Sequence, residues 1–189
     1  MYGKGEGVEK NDSEAYKYTH LACKGGVLSA WHNLGNCYAD GIGTEKHLER
    51  AASCYQIAAN HGDIASIFTL GSWIMNGKVK DSDKKKGFEM IFQAAKMGHP
   101  LAAYNMGVFY SSGQYVELDY SQAILWYGKA VESDIEPAIV NLASMYLYGV
   151  GVEKDLNKTK EILIRGILKK DKVSISISLF ENTFQKEIC

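Results

Sequence analysis

The sequence predicts an all-α protein, an α/α solenoid built as a right-handed superhelix of antiparallel helix pairs. The first observation behind this prediction is a 36-residue repeat that runs through most of the 189 residues. The second is a pair of amphipathic segments in every repeat, and the third is the return of small side chains at fixed positions. Units of this length cannot bury their own apolar faces, so they are stable only when stacked in an array.

The repeat is clearest at a Leu-Gly pair in the first amphipathic segment. The leucine position recurs every 36 residues, at Leu34, Leu70, Met106 and Leu142. The register continues without a break, which predicts one domain over residues 1–189. Its expected parts are a partial repeat at 1–26, full repeats at 27–62, 63–98, 99–134 and 135–171, and a C-terminal capping helix at 172–189.

The first segment of each repeat, named helix A, carries its apolar residues four positions apart. Ala30, Leu34 and Tyr38 therefore lie on one face of an α-helix. Two A helices have a proline in their first turn, where its missing N–H costs nothing: Pro100 and Pro137. A glycine suited to close the helix in the left-handed conformation follows each A helix: Gly41, Gly77, Gly113 and Gly149.

The second segment, named helix B, begins one period apart at residues that cap helix N-termini well: Asn11, Asp83, Asp119 and Asp155. His47 departs from this column, so Thr44 is the expected cap of that helix. The first B helix is expected over about 13–24, and three B helices are expected to end at a glycine: Gly26, Gly62 and Gly98. The three lysines at 84–86 are expected in the loop region, where adjacent lysines are solvated.

Small side chains form two further columns, which predict close contacts between helices. The column in helix B contains Ala22, Ala58, Ala94, Ala130 and Gly166. The column in helix A contains Gly35, Gly71, Gly107 and Ala143. Helices of about a dozen residues are marginal alone in water, so packing at these columns must supply most of their stability.

These residues resemble the Sel1-like repeat family, a relative of the tetratricopeptide repeat. The third full repeat matches the family pattern most completely, at Ala102, Met106, Gly107, Tyr110, Gly113, Asp119, Ala123, Trp126, Tyr127, Lys129 and Ala130. Trp31, Leu34, Gly35 and Tyr38 also match the tetratricopeptide signature, but that repeat has a period of 34 residues. The resemblance implies an adaptor that holds protein partners. In a secreted branch of the family, one disulfide per repeat accompanies β-lactam binding; Cys23 matches that branch, and Trp31 stands where its second cysteine would be.

Charge and cysteine content indicate which classes of partner and cofactor to expect. With 21 basic and 22 acidic residues, the chain has no general field that would attract nucleic acid or anionic lipid. No apolar run approaches the roughly 18 residues that would span a bilayer. We therefore expect no nucleic-acid partner, no membrane insertion and a monomer. A cytoplasmic location is expected by default, and a secreted or periplasmic one if the natural chain is longer.

The cysteines are interpreted as reduced thiols. Cys37 and Cys54 fall on apolar helix faces, where a thiol packs as a small hydrophobic group. A bridge between these two stays open and would need an oxidising compartment. No pair has metal-ligand spacing, and the five histidines occupy different columns: His20, His32, His47, His61 and His99. No metal or cofactor is predicted, and the histidines are expected in solvated or capping roles.

No motif points to catalysis. Ser82 and Lys85 have the spacing of the first β-lactamase element, but the accompanying elements are missing, which favours a lysine-rich loop. The paired glycines of the loops follow helices rather than strands, so they close helices instead of binding phosphate. Trp126 and Tyr127 are interpreted as core residues. The columns offer neither a nucleophile with a positioned base nor paired carboxylates on one face.

The leading hypothesis is a non-enzymatic adaptor that binds a protein or peptide on the concave face of the solenoid, which the A helices line. The alternatives are an enzyme of the β-lactam-binding kind and a segment of a longer scaffold protein. The candidate binding residues are those on the A helices that point away from the Ala-Leu-Tyr core face: His32, Asn33, Asn36, Phe68, Thr69, Ser72, Tyr104, Asn105, Val108, Val140, Asn141 and Ser144. Asn33, Asn105 and Asn141 share one column, and such a ladder of amides can pair with the backbone of an extended peptide.

Overall fold

The computed structural model describes residues 11–80 and 83–169, with side chains as far as residue 166. Within these ranges the chain forms helices and no strand, which confirms the all-α class. The helices are α1 (Asp12–Lys24), α2 (Ala30–Asp40), α3 (Leu48–Asn60), α4 (Ile64–Met75), α5 (Lys84–Lys96), α6 (Pro100–Ser112), α7 (Tyr120–Glu132), α8 (Glu136–Tyr148) and α9 (Leu156–Lys169). The odd-numbered helices are the predicted B helices and the even-numbered ones are the A helices.

The chain groups into two compact units, Met1–Met97 and Gly98–Cys189. In the first unit, α1, α2, α3 and α4 each pack on the helix that follows, and in the second unit α6, α7 and α8 do so. This packing of successive helices is what a stack of helix pairs requires. The single-domain organisation stays a prediction, and the expected capping helix at 172–189 lies outside the described residues.

Glycine is the C-cap of three A helices, as predicted, whereas in α4 the C-cap is Asn76 and Gly77 follows it with a φ of 68°. Gly41 follows α2 with a φ of 77°, a left-handed conformation that favours glycine, and donates its N–H to the carbonyl oxygen of Cys37. Gly113 and Gly149 close α6 and α8 in the same way. Pro100 lies in the first turn of α6, and Pro137 lies in that of α8.

The N-termini of the B helices confirm four predicted caps and correct one. The side chains of Asn11, Asp83, Asp119 and Asp155 each accept a backbone N–H from the first turn of their helices. The prediction that Thr44 caps α3 is wrong. His47 itself is the cap, because its Nδ1 accepts the N–H of Arg50 at 3.4 Å and so replaces a carboxylate oxygen.

The lysines at 84–86 form the first turn of α5, so their assignment to the loop region is wrong. Asp83 has an extended backbone, and its carboxylate accepts the N–H of Lys85 at 2.9 Å. This cap starts the helix before the lysines, although three positive charges at a helix N-terminus oppose the helix dipole. All three side chains are exposed, so the prediction that they are solvated is confirmed.

The column of small residues in the A helices lies against the next B helix. A Cβ atom added to Gly35 would meet the ring of Tyr55 at 2.5 Å, and one added to Gly107 would meet the ring of Tyr127 at 2.4 Å. In the B helices, Ala58, Ala94 and Ala130 are buried. These positions therefore allow helices to approach closely, as the sequence predicted.

Candidate functional site

The residues predicted to bind a partner lie on the A helices, two of which belong to each unit. In the first unit α2 carries His32, Asn33 and Asn36, and α4 carries Phe68, Thr69 and Ser72. In the second unit these residues are Tyr104, Asn105, Val108, Val140, Asn141 and Ser144. Asn33 is exposed, and the others are half-buried. They are therefore accessible in part, and their remaining contacts within the protein fix how they are presented.

His32 is held between three helices of the first unit. Its Nδ1 lies 2.8 Å from Oγ of Ser66 and 3.4 Å from Oδ2 of Asp63. The same carboxylate caps α4 by accepting the N–H of Ser66 at 2.7 Å. The imidazole also packs against the ring of Tyr55 on α3, with centroids 5.5 Å apart. His32 is therefore part of the junction between α2, α3 and α4.

Ser66, His32 and Asp63 contain the residue types of a catalytic triad but not its geometry. In a triad the serine and the carboxylate approach opposite ring nitrogens, so that the histidine passes a proton between substrate and serine. Here both oxygens approach Nδ1, and Ser66 is completely buried. Asp63 is the cap of α4, and His32 joins α2 to it, so the solvated or capping role expected for this histidine is wrong. His47 and His99 do cap helices as expected.

Two buried tyrosines on B helices bind polar side chains of the A helices. The Tyr55 hydroxyl donates to Oδ1 of Asn36 at 2.7 Å. The Tyr127 hydroxyl accepts from Nδ2 of Asn141 at 3.1 Å and lies 3.0 Å from Oγ of Ser111. Sequence reasoning missed these bonds. The available signal was that Tyr55 and Tyr127 stand two periods apart in the same column.

Burial disfavours ionisation of both phenols. It raises the pKa of Tyr55 to about 12, and it also raises the pKa of Tyr127, although hydrogen bonds with Ser111 and Asn141 oppose that rise. A neutral phenol can donate one hydrogen bond while accepting others. The two tyrosines, which are on B helices, therefore orient the amides of Asn36 and Asn141 on the A helices.

The second full repeat shows what happens without this tyrosine. Ile91 occupies the column of Tyr55 and Tyr127, and Ser72 occupies the column of Asn36. Oγ of Ser72 is buried and has no hydrogen-bond partner among the described residues. The missing hydroxyl of the B helix accounts for this, because the facing side chain at 91 is apolar.

The predicted amide ladder is not uniform. Asn33 is exposed, Asn105 is half-buried, and Asn141 uses one N–H to bind Tyr127. Phe68, Tyr104 and Val140 stand one period apart in the neighbouring apolar column, and Tyr104 packs against Tyr127 with ring centroids 6.0 Å apart. That column therefore serves helix packing in part, and the side chains remain half-exposed.

The described residues include three of the four cysteines. Cys23, Cys37 and Cys54 are buried free thiols, and burial raises the pKa of Cys54 to about 11. Over the same ranges, no three His, Cys, Asp or Glu side chains gather where they could hold a metal ion. None of the helices in the described part of the chain has the length and apolar character needed to cross a membrane.

Helix pairs packed in sequence, with equivalent residues facing equivalent neighbours every 36 positions, define a protein of the α/α repeat class. The family model for the Sel1 repeat matches residues 1–27, 29–63, 64–99, 100–134 and 137–170. The chain belongs to the Sel1 repeat family. Proteins of this family generally mediate protein–protein interactions and generally act as non-enzymatic scaffolds.

Solved structures show the same fold. A Sel1 repeat protein from Oxalobacter formigenes superposes with a TM-score of 0.81 at 25% identity, over 89% of this chain and 69% of that one. The protein c5321, a protective antigen of uropathogenic Escherichia coli with the SLR fold, superposes with a TM-score of 0.86 at 25% identity. That match covers all of this chain and 40% of c5321. No curated protein matches the sequence.

Proposed function

We propose that this protein is a non-enzymatic adaptor that binds a partner protein or peptide on the face formed by its A helices. Repeat proteins of this architecture use extended concave surfaces for binding. The observation that carries the proposal lies in the second unit, where half-buried Tyr104 of α6 and Asn141 of α8 are both held by Tyr127 of the B helix α7. Side chains held in this way lose little conformational freedom on binding.

The chemistry of these columns suits a peptide backbone. An asparagine amide has two N–H donors and a carbonyl acceptor, so Asn141 keeps one N–H and its Oδ1 available while it binds Tyr127. Asn105 stands one period before Asn141, on a helix that packs against α8. Beside it, Tyr104 offers an aromatic surface that can take an apolar side chain of the partner. An extended segment carrying alternate apolar side chains fits this combination.

The test is the affinity of a partner captured with the parent protein. Tyr104→Ala combined with Asn105→Ala should weaken its binding by more than about 2 kcal/mol, roughly thirtyfold in Kd, the scale of an interface hot spot. Because Tyr104 also packs against Tyr127, Asn105→Ala alone is the second variant, and circular dichroism must show that both are folded.

The matched control lies on a B helix of the same unit. Ser121 and Leu125 are exposed on α7, so Ser121→Ala with Leu125→Ala should leave the affinity unchanged. If the control pair weakens binding while the α6 pair does not, the partner binds the B-helix side and the proposal is wrong.

A further inference from the structure

Each unit contains a small cavity at the same place in its repeat. In the first unit a cavity of about 260 Å³ lies between α1, α2 and α3, and in the second a cavity of about 250 Å³ lies between α7, α8 and α9. Nearly every residue that lines the first cavity has its equivalent, three periods further along the chain, in the lining of the second cavity. Leu34 and Tyr38, for example, correspond to Leu142 and Tyr146. The cavity is therefore a feature of the repeat rather than an accident of one side chain.

The first cavity has an apolar floor. Trp31, Leu34 and Tyr38 of α2 line it together with Cys54 and Ile57 of α3. Cys54 stands in a column where the next repeats have the longer side chains of Met90 and Trp126. Met90 is half-buried and packs against the core of its unit. The space is open where this column holds the short Cys54 or, in the second cavity, the branched Ile162, neither of which reaches as far as methionine or tryptophan.

The rim of the first cavity is cationic. Lys24 of α1 and Arg50 of α3 lie at its edge together with His20, and no acidic residue is among those that line it. The Arg50 guanidinium lies 5.8 Å from the centre of the ring of Tyr38, one of the residues that line the apolar floor. Within the described part of the chain, no carboxylate comes within 4.0 Å of the charged groups of Lys24 or Arg50.

The second cavity has nearly the same volume but a neutralised rim, although Arg165 there replaces Ile57. Glu132 replaces Lys24, and Glu161 stands at the position of Ser53. Lys158, the equivalent of Arg50, is paired with Glu161 at 2.8 Å. The two cavities therefore form a natural comparison, because the fold is shared and the charge differs.

We propose that the first cavity binds a small organic anion, an aromatic monocarboxylate, with its ring on Trp31 and Leu34 and its carboxylate at Arg50. Binding sites for small molecules are typically apolar pockets with a few polar groups that fix orientation. A guanidinium is the side chain best suited to a carboxylate, which it can bind through two parallel hydrogen bonds. The volume admits one bicyclic ring system rather than a peptide segment. This site lies on the other side of α2 from the proposed partner face and is independent of it.

The experiment is an NMR titration of the ¹⁵N-labelled protein with 1-naphthaleneacetate and, separately, with the neutral 1-naphthaleneacetamide. The acetate should shift the side-chain N–H of Trp31 in a saturable way and bind at least about tenfold more tightly than the amide, since only the acetate makes the charged hydrogen bonds. Arg50→Gln should weaken binding of the acetate by about tenfold or more and leave the affinity for the amide unchanged. Arg50→Lys should retain part of the preference for the acetate over the amide.

Two further variants complete the design. Lys158→Gln, at the equivalent rim of the second cavity, should leave the affinity for the acetate unchanged. Cys54→Met should block both ligands by filling the floor; if it fails to fold, the exposed Arg50 variants decide alone. Equal binding of acetate and amide, an Arg50→Gln variant that binds like the parent, or no saturable shift of Trp31 would each overturn the proposal.

Discussion

At the scale of single residues, one tyrosine column on the B helices does two things. The rings of Tyr55 and Tyr127 cover Gly35 and Gly107, and their hydroxyls bind Asn36 and Asn141. The same side chain thus sets how closely two helices approach and how an amide on the A-helix face is oriented. Helix packing and the proposed binding face are therefore connected through these two residues.

The glycine beneath the ring leads to a prediction with an internal control. Gly107→Ala should destabilise the protein by about 1–3 kcal/mol, because the new methyl group would lie 2.4 Å from a ring carbon of Tyr127. Gly128→Ala should stabilise it by roughly 0.5–1 kcal/mol, because this glycine is inside α7 and has open space where a Cβ would be. Urea unfolding of both variants measures the difference. A Gly107→Ala variant as stable as the parent or more so would show that Gly107 is not a close-contact position.

The unpartnered hydroxyl of Ser72 leads to a second prediction. Ser72→Ala should stabilise the protein by about 0.5–1 kcal/mol, because it removes a buried polar atom without a partner and improves helix propensity. Asn36→Ala, in the same column, should destabilise it by about 1 kcal/mol, because the buried Tyr55 hydroxyl loses its acceptor. Thermal melts compare the two. A Ser72→Ala variant less stable than the parent would show that this hydroxyl has a partner after all.

At the scale of helices, boundaries could be predicted where the signal is local. The Asp and Asn caps and the closing glycines act within one turn, so their spacing in the sequence located most helix ends. His47 was missed because a neutral imidazole is a less usual acceptor than a carboxylate, although it accepts the N–H of Arg50 in the same place. The lysines at 84–86 were misplaced because their charges disfavour a helix start, whereas the Asp83 cap outweighs them.

The candidate site could be predicted less completely than the helices. The period places equivalent residues on equivalent faces, so the columns on the A helices could be predicted from the repeat alone. The hydrogen bonds of Tyr55 and Tyr127 could not be predicted, because they join residues 19 and 14 positions apart on different helices. Which side chains meet there depends on how far one helix is rotated against the next, and the pattern of one helix does not contain that information. The cavities follow the same rule, since each is formed by three helices.

At the scale of the whole molecule, stability depends on how many neighbours each helix has. Among the described residues of the first unit, α1 packs on α2 and buries Cys23 alone. By contrast, α3 packs between α2 and α4 and buries Ala51, Cys54, Tyr55 and Ala58. In a repeat array the stability of a helix is approximately its intrinsic folding free energy plus the free energies of its interfaces with neighbouring helices. We therefore expect α1 to open more easily than α3.

Native-state hydrogen exchange, resolved by residue, tests this central claim that stability comes from the stack. The account predicts that the backbone amides in the middle of α3 exchange more slowly than those in the middle of α1, with a gradient of opening free energy from α3 towards α1. Weakening the interface between α2 and α3 should reduce the difference in protection between α3 and α1. Gly35→Ala is the variant that does this, because it would place a Cβ against Tyr55. An α1 helix as well protected as α3 in the parent protein would contradict the account.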